Sequence, residues 1–164
     1  MISLFRIDER LIHGQIAIKW SRHTGVSHIV VANDAASESP LIQKTLKMAA
    51  PSTVKTAIKS VDDAIALLND PRCENLKILV LVNNPTDAVK VVENVKGIPH
   101  IIVGNYGRVA PKHDGEVRKT FGSNLYAYDD EVEDFKKTLT YNIPCVYQTT
   151  PEDPAEDLKK VLGL

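Results

Sequence analysis

The chain has 164 residues, a formal net charge of −1, 43% hydrophobic residues and 25% charged residues. That is the composition of one ordinary globular domain, residues 1–164, and without a basic excess it excludes a typical nucleic-acid binder. The apolar run Ile78 to Val82 is strand length, far short of the ~18 to 20 residues that cross a bilayer. No basic segment leads into an apolar signal core, so the expected location is the cytoplasm.

Short β-branched runs alternate with helical patterns along the whole chain. This predicts an α/β fold, a single doubly wound domain with a mostly parallel central sheet and helices on both faces. Ile2 to about Arg6 is the first strand. The helix after it starts near His13, buries Ile16, Ala17 and Trp20, and stops at Gly25. His28 to Ala32 is the second strand. Ser39-Pro40 reads as an N-cap with proline in the first helical position, opening a helix to about Ala50 that Pro51 closes. Val54 to Ile58 follows as a strand, and Ser60 with Asp63 starts a helix to Asn69.

Lys77 to Val82, apolar throughout after Lys77, is the clearest central strand. Helix Thr86 to Val95 and strand Pro99 to Val103 come next. The segment Val109 to Phe121 is basic and turn-rich, and its pattern assigns it no structure either way. Ser123 to Tyr128 alternates weakly, as a short edge strand would. Asp130 to Tyr141 is helical, with acidic residues first and Lys136 and Lys137 late, matching the helix dipole. Ile143 to Gln148 is a last strand, and a helix spans about Pro154 to Leu162.

The chemistry gathers in the first strand-to-helix turn, Arg6-Ile-Asp8-Glu9-Arg10-Leu-Ile-His13-Gly14-Gln15. Such turns are where ligands bind in α/β proteins, because strand carboxyl ends and helix N-termini converge there. An unprotonated imidazole nitrogen is a nucleophile or a proton shuttle. Two guanidiniums beside it suit a phosphate. Gly14 would let backbone amides approach an anion closely. A plainer alternative stays open, with His13 bonded to backbone at a helix N-terminus and Arg6 and Arg10 paired to Asp8 and Glu9 on a solvated turn. The loops Asn33-Asp34, Asn83-Asn84 and Gly104 to Arg108 should open on the same sheet edge and complete a pocket. No nucleotide loop, dinucleotide fingerprint or nucleophile elbow is present. The histidines have no metal-ligand spacing, and Cys73 and Cys145 read as buried thiols.

The decapeptide resembles the N-terminal signature of the IIB components of the mannose–fructose–sorbose family of the bacterial sugar phosphotransferase system. Val31-Ala-Asn33-Asp34, Ala49-Ala50-Pro51, Ser60-Val61, the Gly104-Asn105 turn and the Asp130-Glu131 to Phe135 stretch resemble the family in order and spacing. The likeness departs at Tyr106, where the family often has methionine, and along Arg108 to Ser123. The resemblance implies a phosphocarrier in which His13 accepts a phosphoryl group from a IIA phosphohistidine. It then passes the group to a sugar imported by the IIC and IID membrane components, with no cofactor and no metal.

Arg6 and Arg10 match the basic positions around the phosphohistidine, and Nδ1 would be the phosphorylated atom by the same analogy. Asp8, Gly14, Gln15, Asn33, Asp34, Gly104, Asn105 and Arg108 are further candidates to bind or orient the phosphoryl group. Two partners must reach one histidine, so a shallow, open site is expected, and the resemblance implies a cytoplasmic chain held peripherally at the membrane's inner face through IIC and IID. Leu11 or Tyr106 would supply apolar contact area. Self-association into a homo-oligomer and the identity of the sugar stay open. So does a different reading, a regulatory module that holds a small anion or nucleotide at the strand ends. A hydrolase using His13 as general base would need a carboxylate pair or a metal.

Overall fold

The protein, described here by a computed structural model covering residues 1–164, is built on one seven-stranded sheet. In chain order the elements are β1 (Ile2–Asp8), α1 (Gly14–Thr24), β2 (His28–Ala32), α2 (Asp34–Glu38), α3 (Pro40–Ala49), β3 (Lys55–Lys59), α4 (Val61–Leu68), β4 (Ile78–Val82) and α5 (Pro85–Asn94). Then come β5 (Ile101–Asn105), β6 (Lys119–Gly122), β7 (Leu125–Ala127), α6 (Asp129–Leu139), β8 (Cys145–Tyr147), β9 (Glu156–Asp157) and α7 (Leu158–Val161). The strand order is β3-β2-β4-β1-β5-β8-β9, and every pairing is parallel except β8 with β9.

This order puts β1 inside the sheet and reverses the direction of travel around it. The chain steps from β1 to β2 to β3 toward one edge, then returns through β4 and crosses to β5 and β8. Parallel neighbours need such crossovers, and the helices that make them cover both faces. Alternation along β1 divides its side chains accordingly. Phe5 and Ile7 join the larger apolar cluster with α4, α5, α6 and α7, whereas Leu4 joins the smaller one with Ala17 and Trp20 of α1. A buried side chain of this size contributes about 1.5–3 kcal/mol. The strand-to-helix turn after β1 is therefore anchored from both faces.

Five differences from the sequence reading have physical causes. The first strand runs on to Asp8, since Arg6 and Asp8 are buried within the sheet and not solvated beyond it. A short helix, α2, fills the connection after β2, because the Asn33 side chain caps it by accepting from Ala36 N at 2.9 Å. Ser123 to Tyr128 is no edge strand of the main sheet. Its core, β7, pairs antiparallel with β6 as a separate hairpin, joined by the Tyr106–Leu125 bridge to the residue that follows β5. The edge strand beyond β8 is β9, whose pairing with β8 removes Glu156 and Asp157 from the final helix and leaves that helix as Leu158–Val161. Leu11 and Tyr106 are core residues, 7% and 3% exposed, and offer no contact surface.

Candidate functional site

The turn from β1 into α1 gathers its polar contacts around one buried carboxylate. Asp8 is fully buried at the strand end, and four donors converge on its carboxylate. Oδ2 lies 3.1 Å from His13 Nε2, 3.1 Å from Asn105 Nδ2 and 3.4 Å from Arg6 Nη2, while Oδ1 accepts from the Arg10 backbone amide at 3.1 Å. Burial pushes the Asp8 pKa up, but the His13 hydrogen bond and the positive charge of Arg6 outweigh it and hold the group below its usual 3.8. Asp8 is thus an ionised acceptor at neutral pH.

That settles which hydrogen sits where on the imidazole. An ionised carboxylate only accepts, so the His13 nitrogen facing it carries the proton, and in the neutral ring Nδ1 holds the free lone pair. His13 itself keeps 22% of its side-chain surface accessible. It stands in extended conformation at the N-cap of α1 and makes no side-chain cap bond, so no side chain of its own closes the first-turn amides. Gly14 follows with φ +47°, a left-handed value that glycine takes without strain. Leu11 holds φ 59°, where a branched residue is strained, and its amide donates to Asp8 O at 2.9 Å. The turn therefore folds back on Asp8 before it enters the helix.

The two arginines divide sharply. Arg10 is exposed and its guanidinium makes no ion pair, leaving it available to an incoming anion. Arg6, expected beside a phosphoryl group, is 1% exposed. Its guanidinium donates to Gln148 O at 3.0 Å and Thr149 O at 2.8 Å and lies 5.1 Å over the Trp20 ring. Burial, opposed by Asp8, brings its pKa down to about 10, so it remains a cation at neutral pH. Arg6 meets the turn at Asp8, 3.4 Å from its Oδ2.

The other candidates also separate. Asn105 reaches Asp8 directly. Gly104 is bulged out of the β1–β5 register, where Ile7 pairs with Val103 but Asp8 with Asn105. A Cβ at Gly104 would lie 1.9 Å from Arg6 Nη2, so the absence of a side chain there makes room for the guanidinium. Gln15 is exposed in the first turn of α1. Asn33 and Asp34 do not join the site. Asn33 caps α2, and Asp34 Oδ1 accepts from Val61 N at 2.9 Å. Asn83 and Asn84 are occupied likewise, since Asn84 caps α5 and bonds Asn83. The Arg108 side chain turns to Ser123 O at 2.6 Å and the Tyr126 ring.

Sequence reasoning missed three things here. The carbonyls of Gln148 and Thr149 carry no local signal, since only the sheet order brings β8 beside β5. Trp20 was legible as a core residue, but its indole also donates to Thr149 O at 2.9 Å and closes the box around Arg6. Glu9 reads as a solvated charge, yet its carboxylate accepts from four backbone amides, Gly107, Arg108, Val109 and Ala110, at 3.0 to 3.2 Å.

Comparison with known proteins supplies the context. Residues 2–164 match the family model described as the PTS system sorbose subfamily IIB component. The chain is 43% identical over 108 residues to a probable phosphotransferase enzyme IIB component of Streptococcus pyogenes serotype M6, covering 66% of each chain. It is 32% identical over 155 residues to the mannose-specific EIIAB component of Escherichia coli K12, covering 94% of this chain and 46% of that one. The chain thus spans about half the length of that EIIAB relative. The crystal structure of the IIBSor domain of the sorbose permease from Klebsiella pneumoniae superposes with a TM-score of 0.89 at 23% identity, over 99% of this chain and 96% of that one. At that identity the likeness speaks for the fold.

Proposed function

Because this chain belongs to the sorbose-subfamily IIB components of the phosphotransferase system, we propose that it carries phosphoryl groups on Nδ1 of His13. The group comes from a phosphohistidine on a IIA protein or domain and goes to a sugar brought in by IIC and IID membrane components. The observation that carries the reading is the 3.1 Å contact from Asp8 Oδ2 to His13 Nε2, which leaves Nδ1 as the nucleophile.

Nδ1 attacks phosphorus in line, the donor's P–N bond breaks, and its electron pair returns to the donor imidazole. As the new N–P bond forms, positive charge develops on the His13 ring, and the Asp8 carboxylate beside Nε2–H stabilises it. Onward transfer reverses this. A sugar hydroxyl attacks phosphorus, the N–P bond breaks with its electrons returning to Nδ1, and the hydroxyl proton leaves to solvent or base. Phosphoryl transfer between imidazoles exchanges like bonds, so the protein's work is positioning and charge stabilisation. Arg10 holds phosphoryl oxygens with its planar fork, and the amides of the first turn of α1, at Gly14 and Gln15, face the same anion. Arg6 and Asn105 keep Asp8 in place. No step uses a metal or a cofactor. Transient docking at the edge that holds His13 lets IIA and the membrane components use one site in turn.

The test is to incubate the protein with phosphorylated donor and locate the label by mass spectrometry at alkaline pH, in the native chain and in His13→Ala. An acid-labile, alkali-stable label on His13, absent from His13→Ala, is expected. A label that persists in His13→Ala overturns the proposal. A ligand that is released on denaturation identifies an anion-binding module instead.

A further inference from the structure

The loop after β5 is held by two charged side chains from opposite sides. Glu9, in the turn that carries His13, accepts from the amides of Gly107, Arg108, Val109 and Ala110. Arg118 takes the carbonyls of the same stretch, donating to Gly107 O at 3.4 Å, Ala110 O at 3.1 Å and Pro111 O at 2.6 Å. Arg118 is itself fixed by Glu131, which accepts from its Nε at 2.8 Å and its Nη2 at 3.1 Å. The Tyr106 hydroxyl also donates to Glu131. Glu9's own amide donates to Asn105 O at 2.9 Å. Four amides and three carbonyls of the loop are thus satisfied by side chains and not by a regular element.

What the loop displays is the reverse of what it rests on. Val109 is 65% exposed, although its amide is anchored. An isolated apolar tip needs no explanation by itself, but a tip held rigid by charge on both sides is preorganised, and preorganisation matters only for binding something. Its neighbours in the site cannot serve, since Leu11 and Tyr106 are buried. The clamp starts from the residue next to Asp8, so the rim and the imidazole are positioned by one turn. Asn105, two residues before the rim, also donates to the Asp8 oxygen that faces His13, which ties the two features to one carboxylate.

We propose that Glu9 is a positioning residue that fixes Gly107–Ala110 as the rim met by the protein phosphoryl donor, and so governs the encounter and not the reactivity of His13. This rests on the phosphocarrier reading above. It separates two quantities that one substitution at His13 cannot separate. Loss of the Glu9 carboxylate frees four amides to water and loosens the rim, while the Asp8–His13 pair keeps its own partners.

The experiment compares two donors. Phosphoramidate is a small donor that phosphorylates imidazole with release of ammonia and needs no docking surface, whereas the phosphorylated IIA protein needs one. For Glu9→Ala, KM for the protein donor should rise roughly tenfold with kcat little changed, and labelling of His13 by phosphoramidate should run at the native rate. Glu9→Gln keeps the oxygen that serves three of the amides, and should lie between Glu9→Ala and the native protein. Val109→Ser, an exposed change that leaves the clamp intact, should raise the same KM. An unchanged KM in Glu9→Ala or in Val109→Ser overturns the proposal, as does an equal slowing of phosphoramidate labelling in Glu9→Ala. Native protein that takes no label on His13 from either donor overturns the phosphocarrier reading itself, and the proposal with it.

Discussion

Four of the parallel strands lead into a helix, and the turn after β1 is built unlike the other three. After β2, β3 and β4 the helix is capped by a short polar side chain, with Asn33, Ser60 and Asn84 accepting from the amides of Ala36, Asp63 and Asp87 at 2.9, 3.1 and 2.8 Å. After β1 the cap position holds His13, in the extended conformation a cap requires, but its side chain makes no cap bond. A side-chain cap is worth about 1 kcal/mol, and a non-glycine residue at positive φ, as at Leu11, costs about 1–3 kcal/mol. The β1 turn forgoes the first and bears the second. What it gains is an imidazole aimed at a buried carboxylate. A site shows itself where a local rule is set aside and the packing around it is strong enough to allow that.

The largest expected effect that would break this comparison comes from Asp8→Asn. The amide keeps the shape but removes the charge that fixes the His13 tautomer and stabilises the ring as the N–P bond forms. Labelling by phosphorylated donor should fall roughly a hundredfold, with the group still on His13. A rate within a factor of two or so of native would show that Asp8 only braces the turn. The same substitution has a pH signature. Asp8 is held below 3.8 in the folded protein, so its stabilising contribution is complete above that value and is lost as pH falls through the lowered one. Acid denaturation followed by circular dichroism should therefore lose less stability over that range in Asp8→Asn than in the native chain.

A smaller effect should follow Arg10→Lys. Lysine keeps the charge but cannot hold two phosphoryl oxygens with one planar group. Transfer should slow roughly tenfold, about 1.4 kcal/mol of barrier, with no change in melting temperature since Arg10 makes no ion pair in the fold. Native rates in stopped-flow transfer assays would place Arg10 among the solvated charges.

The smallest effect sharpens the contrast from the other side. Asn84→Ala removes an ordinary cap and should cost about 1 kcal/mol of stability in urea unfolding, with phosphoryl transfer unaltered. Slowed transfer in that variant would mean the β4 turn belongs to the site after all.

Much of this architecture was legible because strands buried on both faces and helices with capping residues write themselves locally. Ile78 to Val82 reads as a central strand and Ser39-Pro40 as a helix start. What was not legible depends on distance in sequence. Glu9 and Arg118 look like surface charges until the loop Gly107–Pro111 lies between them. Arg6 looks like a phosphate ligand until β8 supplies the carbonyls of Gln148 and Thr149. The hairpin β6–β7 has too weak an alternation to declare which sheet it joins, and β9 is only two residues long. Polar residues mislead most, because Asn33 and Asp34 have the right chemistry for a ligand and the right position for helix caps.

The central claim is that the Asp8 carboxylate leaves Nδ1 of His13 as the atom that takes the phosphoryl group. The direct measurement is nitrogen NMR of the protein labelled with 15N in its histidine rings, recorded before and after phosphorylation by the donor and referenced to His13→Ala. The account predicts that His13 Nδ1 alone acquires the coupling to phosphorus and that Nε2 keeps its proton while facing Asp8. Phosphorus on Nε2, or on any residue other than His13, would contradict it.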